Sequence, residues 1–483
     1  MKLRLDKDLE RILAQIRALL PEEKVYLVGG AMRDILLHKT IRDLDFVLAR
    51  GSIKLAKAVK KHFQGVWYTL DDEHQTARVI LNQGEPNEKV LDFTSFVGES
   101  LDADLRQRDF SINAMAIDLD DPNLLIDPLN GRQDLAGRIL RLTNPKSLLS
   151  DPLRVIRGIR MIRFYNLSES IEILDSMRVA VLELGKISGE RVRDELFKCL
   201  DLPDLTATFT LLVRFGIYQF LQREISPTAA LKHSADFQTF YEGVLDSGDP
   251  SENKPLWFVQ KATLLENLEK LLINIQQGKN DASLPPTEIS NAFLDGLRKS
   301  MDESLQAKHT RKQLLILAAF FYLHSFEADF ADNLTRLLML GQKENKALEK
   351  TAAAYHKIAS ISDKAKVSDL DLYRVFREAD RFALEGALLH LAEEKQSRTR
   401  RSAIAIRILE TWFNAHEQVV DPPRLIDGTQ LQEELAIGPG PALGFFLEQI
   451  REAQVTGEVQ NRTDALNLVK KLLYNKDFGN PGS

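Results

Sequence analysis

Hydrophobic spacing changes character partway along the chain. Over the first ~120 residues two periods alternate. "VYLVGG" (Val25–Gly30) is a short apolar run closed by glycines, and "AMRDILLH" has helical spacing. "DLDFVLA" alternates and "SIKLAKAVKKHF" is helical, whereas "ARVIL", "KVLDFTSF" and "INAMAIDL" read as strands. From Leu148 onward the strand pattern stops. "PLRVIRGIRMIRFY", "ERVRDELFKCL", "RKQLLILAAFFYL" and "ADNLTRLLML" all place apolar residues at helical spacing. The pattern predicts an α+β chain: a mixed-sheet head over 1–140, then an all-helical neck (141–225), body (226–420) and tail (421–483). Linker-like stretches rich in Gly, Pro, Ser, Asn and Asp fall at Leu245–Pro255 and Gln276–Glu288, and "VVDPPRLIDG" precedes the tail.

Composition narrows the class. A chain of 483 residues exceeds one hydrophobic core, and 44% hydrophobic with 28% charged residues is ordinary for a globular protein. The net charge of -6 gives no overall attraction for a phosphate backbone, although local patches are not excluded. The one cysteine, Cys199, rules out an intramolecular disulfide or a cysteine-based zinc site and reads as a buried helical residue. "MKLRLDKDLERILAQIRALL" is broken by charges and reads as an amphipathic helix rather than a secretion signal. The longest apolar run, Leu314–Leu323, is half the ~20 residues a membrane span needs. No membrane association and a cytoplasmic location are expected.

Candidate chemistry sits in the head. A strand running into Gly29-Gly30 and then a helix allows backbone N–H groups to face a phosphate, with Arg33 in the first turn. In "IRDLDFVL", Asp43 and Asp45 are two apart, so on a strand both carboxylates share one face while Leu44, Phe46 and Leu48 take the other. Such a pair repels unless cations resolve it, and Mg²⁺ takes carboxylate oxygens while leaving room for phosphate. Asp92 in "KVLDFTSF" is the candidate third carboxylate from a neighbouring strand.

These residues resemble a known family. "GGAMRD…RDLD" is similar to the head of the class II nucleotidyltransferases, which comprise the CCA-adding enzymes and bacterial poly(A) polymerases. "RQRDFSINAMAID", "IDPLNGRQDL", "SDPLRVIRGIRMIRFY" and "ISGERVRDELFKCL" follow in the family's order, and the stretch from Leu425 to Leu466 is similar to the tail of many bacterial members. The resemblance implies a polymerase-β-like head that joins nucleotides from CTP or ATP to the 3′ end of tRNA without a template, releasing pyrophosphate. It implies two Mg²⁺ ions on Asp43 and Asp45, with Asp92 as the third catalytic carboxylate. Gly29, Gly30, Arg33, Arg108, Asp109 and Asn113 would bind the nucleotide. Asp151 and Arg154 would read its base, and Arg157 would meet the triphosphate. Asp151 and Arg154 are expected three apart on one helix face.

Three departures qualify the pattern. Ser150 replaces the usual Glu before Asp151 and is expected to cap the helix; Gln107 replaces an Arg before Arg108. Asp92 and Arg108 are separated by only 16 positions, too few for the flexible loop associated with switching from cytosine to adenine. That shortness points to a C-adding enzyme producing CC, with a separate A-adding enzyme acting on the same tRNA. Full CCA addition, A addition, poly(A) synthesis and a non-catalytic RNA-binding relative are the alternatives. In the body, the basic clusters "KHTRKQ" and "KQSRTRRS" are candidate tRNA contacts, and His324, without a neighbouring Asp, predicts no second metal site. In the tail, Gly438 and Gly440 lead into a helix at about Pro441.

Overall fold

The computed structural model describes residues 3, 5–71, 75–225, 255–279, 291–305, 309–321, 329–393 and 400–474. The expectations for His324, for most of both linkers and for Lys395–Thr399 lie outside the described residues. The chain divides into two compact units, residues 1–202 with 211–220, and residues 203–210 with 221–483.

The first unit is built on a seven-stranded sheet. Its strands are β1 (Val25–Val28), β2 (Asp43–Leu48), β3 (Val66–Asp71), β4 (Thr76–Leu81), β5 (Lys89–Ser95), β6 (Ala116–Asp118) and β7 (Asp121–Ile126), in the order β3-β4-β5-β2-β1-β6-β7. Only β2 and β5 run parallel; the other neighbours are antiparallel. Alternation sets the faces. Leu44, Phe46, Leu91, Phe93, Ala77 and Val79 are fully or almost fully buried on one side, where Phe46 and Phe93 pair in register and stack at 5.0 Å. Helices α1 (Lys7–Ala18), α2 (Gly30–Leu36) and α3 (Ser52–Phe63) contribute the rest of that core through Leu9, Leu13, Ile16, Met32, Leu55 and Val59.

Three elements differ from the sequence reading. β3 and β7 carry no clear apolar alternation and were not predicted, because β3 exposes five of its six side chains and β7 three of six, with none buried in either. "INAMAIDL" is a strand only from Ala116, since Ser111–Asn113 forms a single 3₁₀ turn. Downstream, two-residue strand pairs, Ile139–Leu140 with Ser168–Glu169 and Ser304–Leu305 with His309–Thr310, interrupt otherwise helical chain.

Beyond the sheet come α4 (Leu101–Gln107), α5 (Gly131–Ala136), a one-turn helix α6 (Ser147–Ser150), α7 (Arg154–Tyr165), α8 (Ile171–Val181) and α9 (Gly189–Leu200). Cys199 on α9 is fully buried, and burial pushes its thiol up to about 12, as befits a structural residue.

Among the described residues the second unit is helical apart from the Ser304–Leu305 and His309–Thr310 pair. Within its "KHTRKQ" segment, where Lys308 lies outside the described residues, His309 and Arg311 are not the surface charges the sequence suggested. Arg311 is 2% exposed and forms a two-pronged bond to Glu385 at 2.7 and 2.8 Å, while buried His309 meets Glu344 at 2.6 Å. Capping by Asp427, whose side chain accepts from the Gln430 N–H, starts helix 428–435. Pro441 begins helix 441–455 as expected, and this tail helix is tied to helix 369–379 by Arg374–Glu452 and Arg377–Glu448. Among the described residues no helix is long and apolar enough to cross a membrane.

Candidate active site

β1 runs straight into Gly29, whose φ of 75° needs a residue tolerant of the left-handed region. A Cβ there would lie 2.9 Å from Asp45 Oδ2 and 3.0 Å from Arg108 Nη1, so only a bare backbone fits between the two charges. α2 starts one residue later and carries Arg33 at its fourth position, counted with the last turn of this seven-residue helix rather than the first. The Arg33 guanidinium is buried and fixed on every side: Nη1 donates to Asn113 Oδ1 (2.5 Å), Nε and Nη2 donate to Asp34 (both 3.1 Å), and its carbon lies 4.2 Å from the Tyr165 ring centroid. The Tyr165 hydroxyl in turn donates to Asp34 at 2.8 Å.

Asp43 and Asp45 occupy the open face of β2, Asp43 exposed and Asp45 half-buried. Burial pushes the Asp45 carboxyl up to about 6; Asp92 and Asp43 push the same way, against the pull of Arg108. An acid raised by burial and like-charged neighbours is one that a divalent cation would relieve. Asp92 lies directly beside Asp45 in the β2–β5 register, as expected of a third carboxylate. Its oxygens, however, are taken by Arg78, with Nε–Oδ1 and Nη2–Oδ2 both 2.7 Å. Among the described residues no three acid, histidine or cysteine side chains gather as a metal-holding group.

Arg108 caps the end of α4 and donates through Nε and Nη2 to Asp104 at 3.1 and 3.0 Å. Asp109 is buried, accepts from the Phe110 N–H and Asn113 Nδ2, and pairs with Arg157 of α7 at 3.1 Å. Burial opposes ionisation of Asp109, yet Arg157 and these bonds hold its pKa below the usual value. The turn that presents Asn113 is braced by the "DPLNGRQDL" segment. Asp127 accepts from the N–H groups of Gly131 and Arg132, Gly131 packs on the Ser111 backbone, where a Cβ would sit 2.1 Å from its carbonyl oxygen, and Asp134 accepts from the Ser111 hydroxyl at 2.6 Å.

The expected Asp151–Arg154 helix face does not form. Ser150 ends α6, its hydroxyl donating to Ser147 O, and Asp151 is extended (φ −143°, ψ 88°). α7 begins at Arg154 without a side-chain cap, because Pro152 and Leu153 turn the chain into it. Arg154 donates to Arg108 O and Ser147 O, and burial lowers its pKa. Asp151 Oδ2 pairs with Arg191 at 3.0 Å, and its Oδ1 is buried with no hydrogen-bond partner among the described residues.

A cavity of about 510 Å³ is lined by Gly29, Gly30, Arg33, Asp43, Asp45, Arg108, Asp109, Asn113, Arg154 and Arg157. Of the residues singled out from sequence, only Asp92 and Asp151 are not in its wall. Sequence reasoning missed Asp34 and Tyr165, whose partnership spans 131 positions, and Met161, which also lines the cavity; Arg160, which the sequence left open between a phosphate contact and a structural role, lines it too. Arg78 was legible in principle: "TARVIL" alternates, which puts it on the polar face of β4.

Known families match along the chain in order. The poly A polymerase head domain matches residues 25–141, the "Probable RNA and SrmB- binding site of polymerase A" residues 170–228, and tRNA nucleotidyltransferase domain 2 residues 308–469. The CC-adding tRNA nucleotidyltransferase of Geobacter sulfurreducens is 28% identical over 449 residues, covering 92% of this chain and 91% of that protein. The chain belongs to the tRNA nucleotidyltransferase family of enzymes. Relatives in this family differ in product: the A-adding tRNA nucleotidyltransferase of Deinococcus radiodurans is 27% identical, covering 92% of this chain and 94% of its own length. The fold agrees with that of a CCA-adding enzyme solved with CTP, at a TM-score of 0.66 and 19% identity over 98% of this chain and 99% of that one. Nucleotidyltransferases of this family generally use divalent metals.

Proposed function

We propose that this nucleotidyltransferase adds cytidines from CTP to the 3′ end of tRNA and stops at CC, in the cytoplasm, leaving the terminal A to a separate enzyme. The observation that carries the product assignment is the connection between β5 and Arg108. Only Phe96–Ser100 separates the strand from α4, and it is tied down: the Val97 N–H and the Arg108 guanidinium both donate to buried Asp104. A pocket that must change shape to take adenine needs slack there, and this connection is short and anchored at Val97.

The reaction forms a bond from the RNA 3′-oxygen to the α-phosphorus of CTP while the bond to the leaving pyrophosphate breaks. Asp43 and Asp45 would hold the two Mg²⁺ ions, which when bound neutralise phosphate charge and lower the pKa of the attacking hydroxyl. Gly29 lets the phosphates come close to Asp45, and Arg33 offers them a guanidinium whose direction is preset by Asn113, Asp34 and Tyr165. Arg108, Asn113 and the Asp109–Arg157 pair face the ribose and remaining phosphate oxygens. Arg154 donates to ring nitrogen and carbonyl acceptors of cytosine. Asp151 lies outside the cavity wall, so reading the exocyclic amine requires its carboxylate to leave Arg191, an exposed partner released at a cost of about 1 kcal/mol or less.

Transfer of α-labelled CTP to a tRNA ending at the discriminator base tests the reading. Asp45→Asn is expected to abolish transfer while RNA binding persists; transfer by that variant would defeat the carboxylate assignment.

A further inference from the structure

The sheet face that carries Asp45 does not end at Asp92. Register pairs Asp45 with Asp92, Asp92 with Arg78, and Arg78 with Tyr68, so one row of side chains crosses four strands on the same face. Its outer end is unusual for a sheet edge. Tyr68 is 42% exposed, and Val66 and Leu70, two positions either side, are 47% and 46% exposed. Three apolar or aromatic side chains therefore stand open to solvent on the edge strand, and Tyr68 among them is in line with Asp45 and Asp92. Strands lie about 4.8 Å apart, so Tyr68 is about 14 Å from Asp45 along the row, the reach of two to three nucleotides of single-stranded RNA. Arg78 lies between them with its orientation set. A guanidinium carries five N–H donors; Asp92 takes two of them, and Tyr68 stands beside the same group in the β3–β4 register. The remaining donors can meet a phosphate, and the Tyr68 ring beside them offers a face to a base.

We propose that the row Asp92–Arg78–Tyr68 seats the RNA strand just upstream of its reacting 3′ nucleotide, with Arg78 on a backbone phosphate and Tyr68 stacked on a base. Asp92 then acts as a positioning residue, holding the Arg78 fork rather than closing the metal site. Stacking on an aromatic ring accepts any base, which suits a primer whose last nucleotides change from one addition to the next. The inference rests on the transfer reading, and the two fail separately.

The test uses the full chain and a tRNA carrying 2-aminopurine two positions upstream of its 3′-terminal nucleotide. Wild-type protein is expected to quench the probe without CTP present. Tyr68→Ala is expected to abolish the quench and raise the KM for RNA about tenfold, the size of one lost stack, with the KM for CTP unchanged. Tyr68→Phe, which keeps the ring, is expected to restore both. Arg78→Lys, which loses the fork, is expected to raise the RNA KM without moving that for CTP. Retained quench and RNA KM in a folded Tyr68→Ala variant would overturn the proposal. Absence of C addition by the wild-type enzyme would instead overturn the transfer reading, while the quench still decides the stacking site.

Discussion

Asp109 and Arg157 form an ion pair at 3.1 Å that joins the chain just after α4 to the first turn of α7, inside the wall of the 510 Å³ cavity. Asp109 is buried and Arg157 is 38% exposed by side chain, so removing the arginine strands a buried carboxylate. Arg157→Ala is expected to cost about 2 kcal/mol of stability, the buried-pair figure reduced for solvent screening. The sign with pH follows from the depressed Asp109 pKa. Its contribution is present above the unfolded carboxyl pKa and is lost as pH falls through the folded one. Thermal melts of wild type and Arg157→Ala should therefore converge on acidification.

Gly29→Ala is expected to eliminate transfer. Its φ of 75° penalises any side chain by about 1 kcal/mol, and the new methyl would sit 2.9 Å from Asp45 Oδ2. Activity should drop at least a hundredfold, about 3 kcal/mol of barrier, while the melting temperature moves by only a few degrees. Full activity in the alanine variant would show that the backbone need not approach Asp45 closely.

Arg311→Met is expected to destabilise the second unit by about 3 to 5 kcal/mol, because Glu385, 2% exposed, loses its two-pronged partner. The salt dependence of tRNA binding should keep its slope, since this arginine is not a phosphate contact. A shallower slope in a folded variant would return Arg311 to the RNA surface.

Lys261 predicts a stability that rises with pH above neutrality. Burial lowers its pKa to about 7 while its amine donates to Ala319 O at 2.8 Å. The unfolded chain binds the proton up to the ordinary lysine value of 10.5, so between the two values the unfolded state holds more protons and raising the pH favours the fold. Denaturant titrations from pH 7 to 9 should show this gain in wild type and a flatter profile in Lys261→Met.

Much of the site was legible because its signals are local. The two-residue spacing of Asp43 and Asp45 fixes their common face, and the glycines before α2 fix the close approach. Readings that depended on helix phase were less secure. Pro152 and Leu153 postpone α7 to Arg154, so Asp151 lies before the helix rather than on it, and Ser150 caps nothing downstream. Long-range partnerships were invisible: neither the Tyr165–Asp34 bond nor the Arg311–Glu385 pair leaves a trace in spacing. Asp92 was found on its strand, but Arg78 became relevant only once β4 was seen to lie between β5 and the edge.

The central claim is tested most directly by resolving reaction products at single-nucleotide resolution. The purified protein would receive tRNA transcripts ending at the discriminator base, at C or at CC, with CTP alone, ATP alone or both. Products that stop at CC, with ATP adding nothing to a CC end, are the predicted result. Extension of the CC end to CCA would contradict it, and would show that the short, pinned connection before Arg108 does not prevent the pocket from accepting adenine.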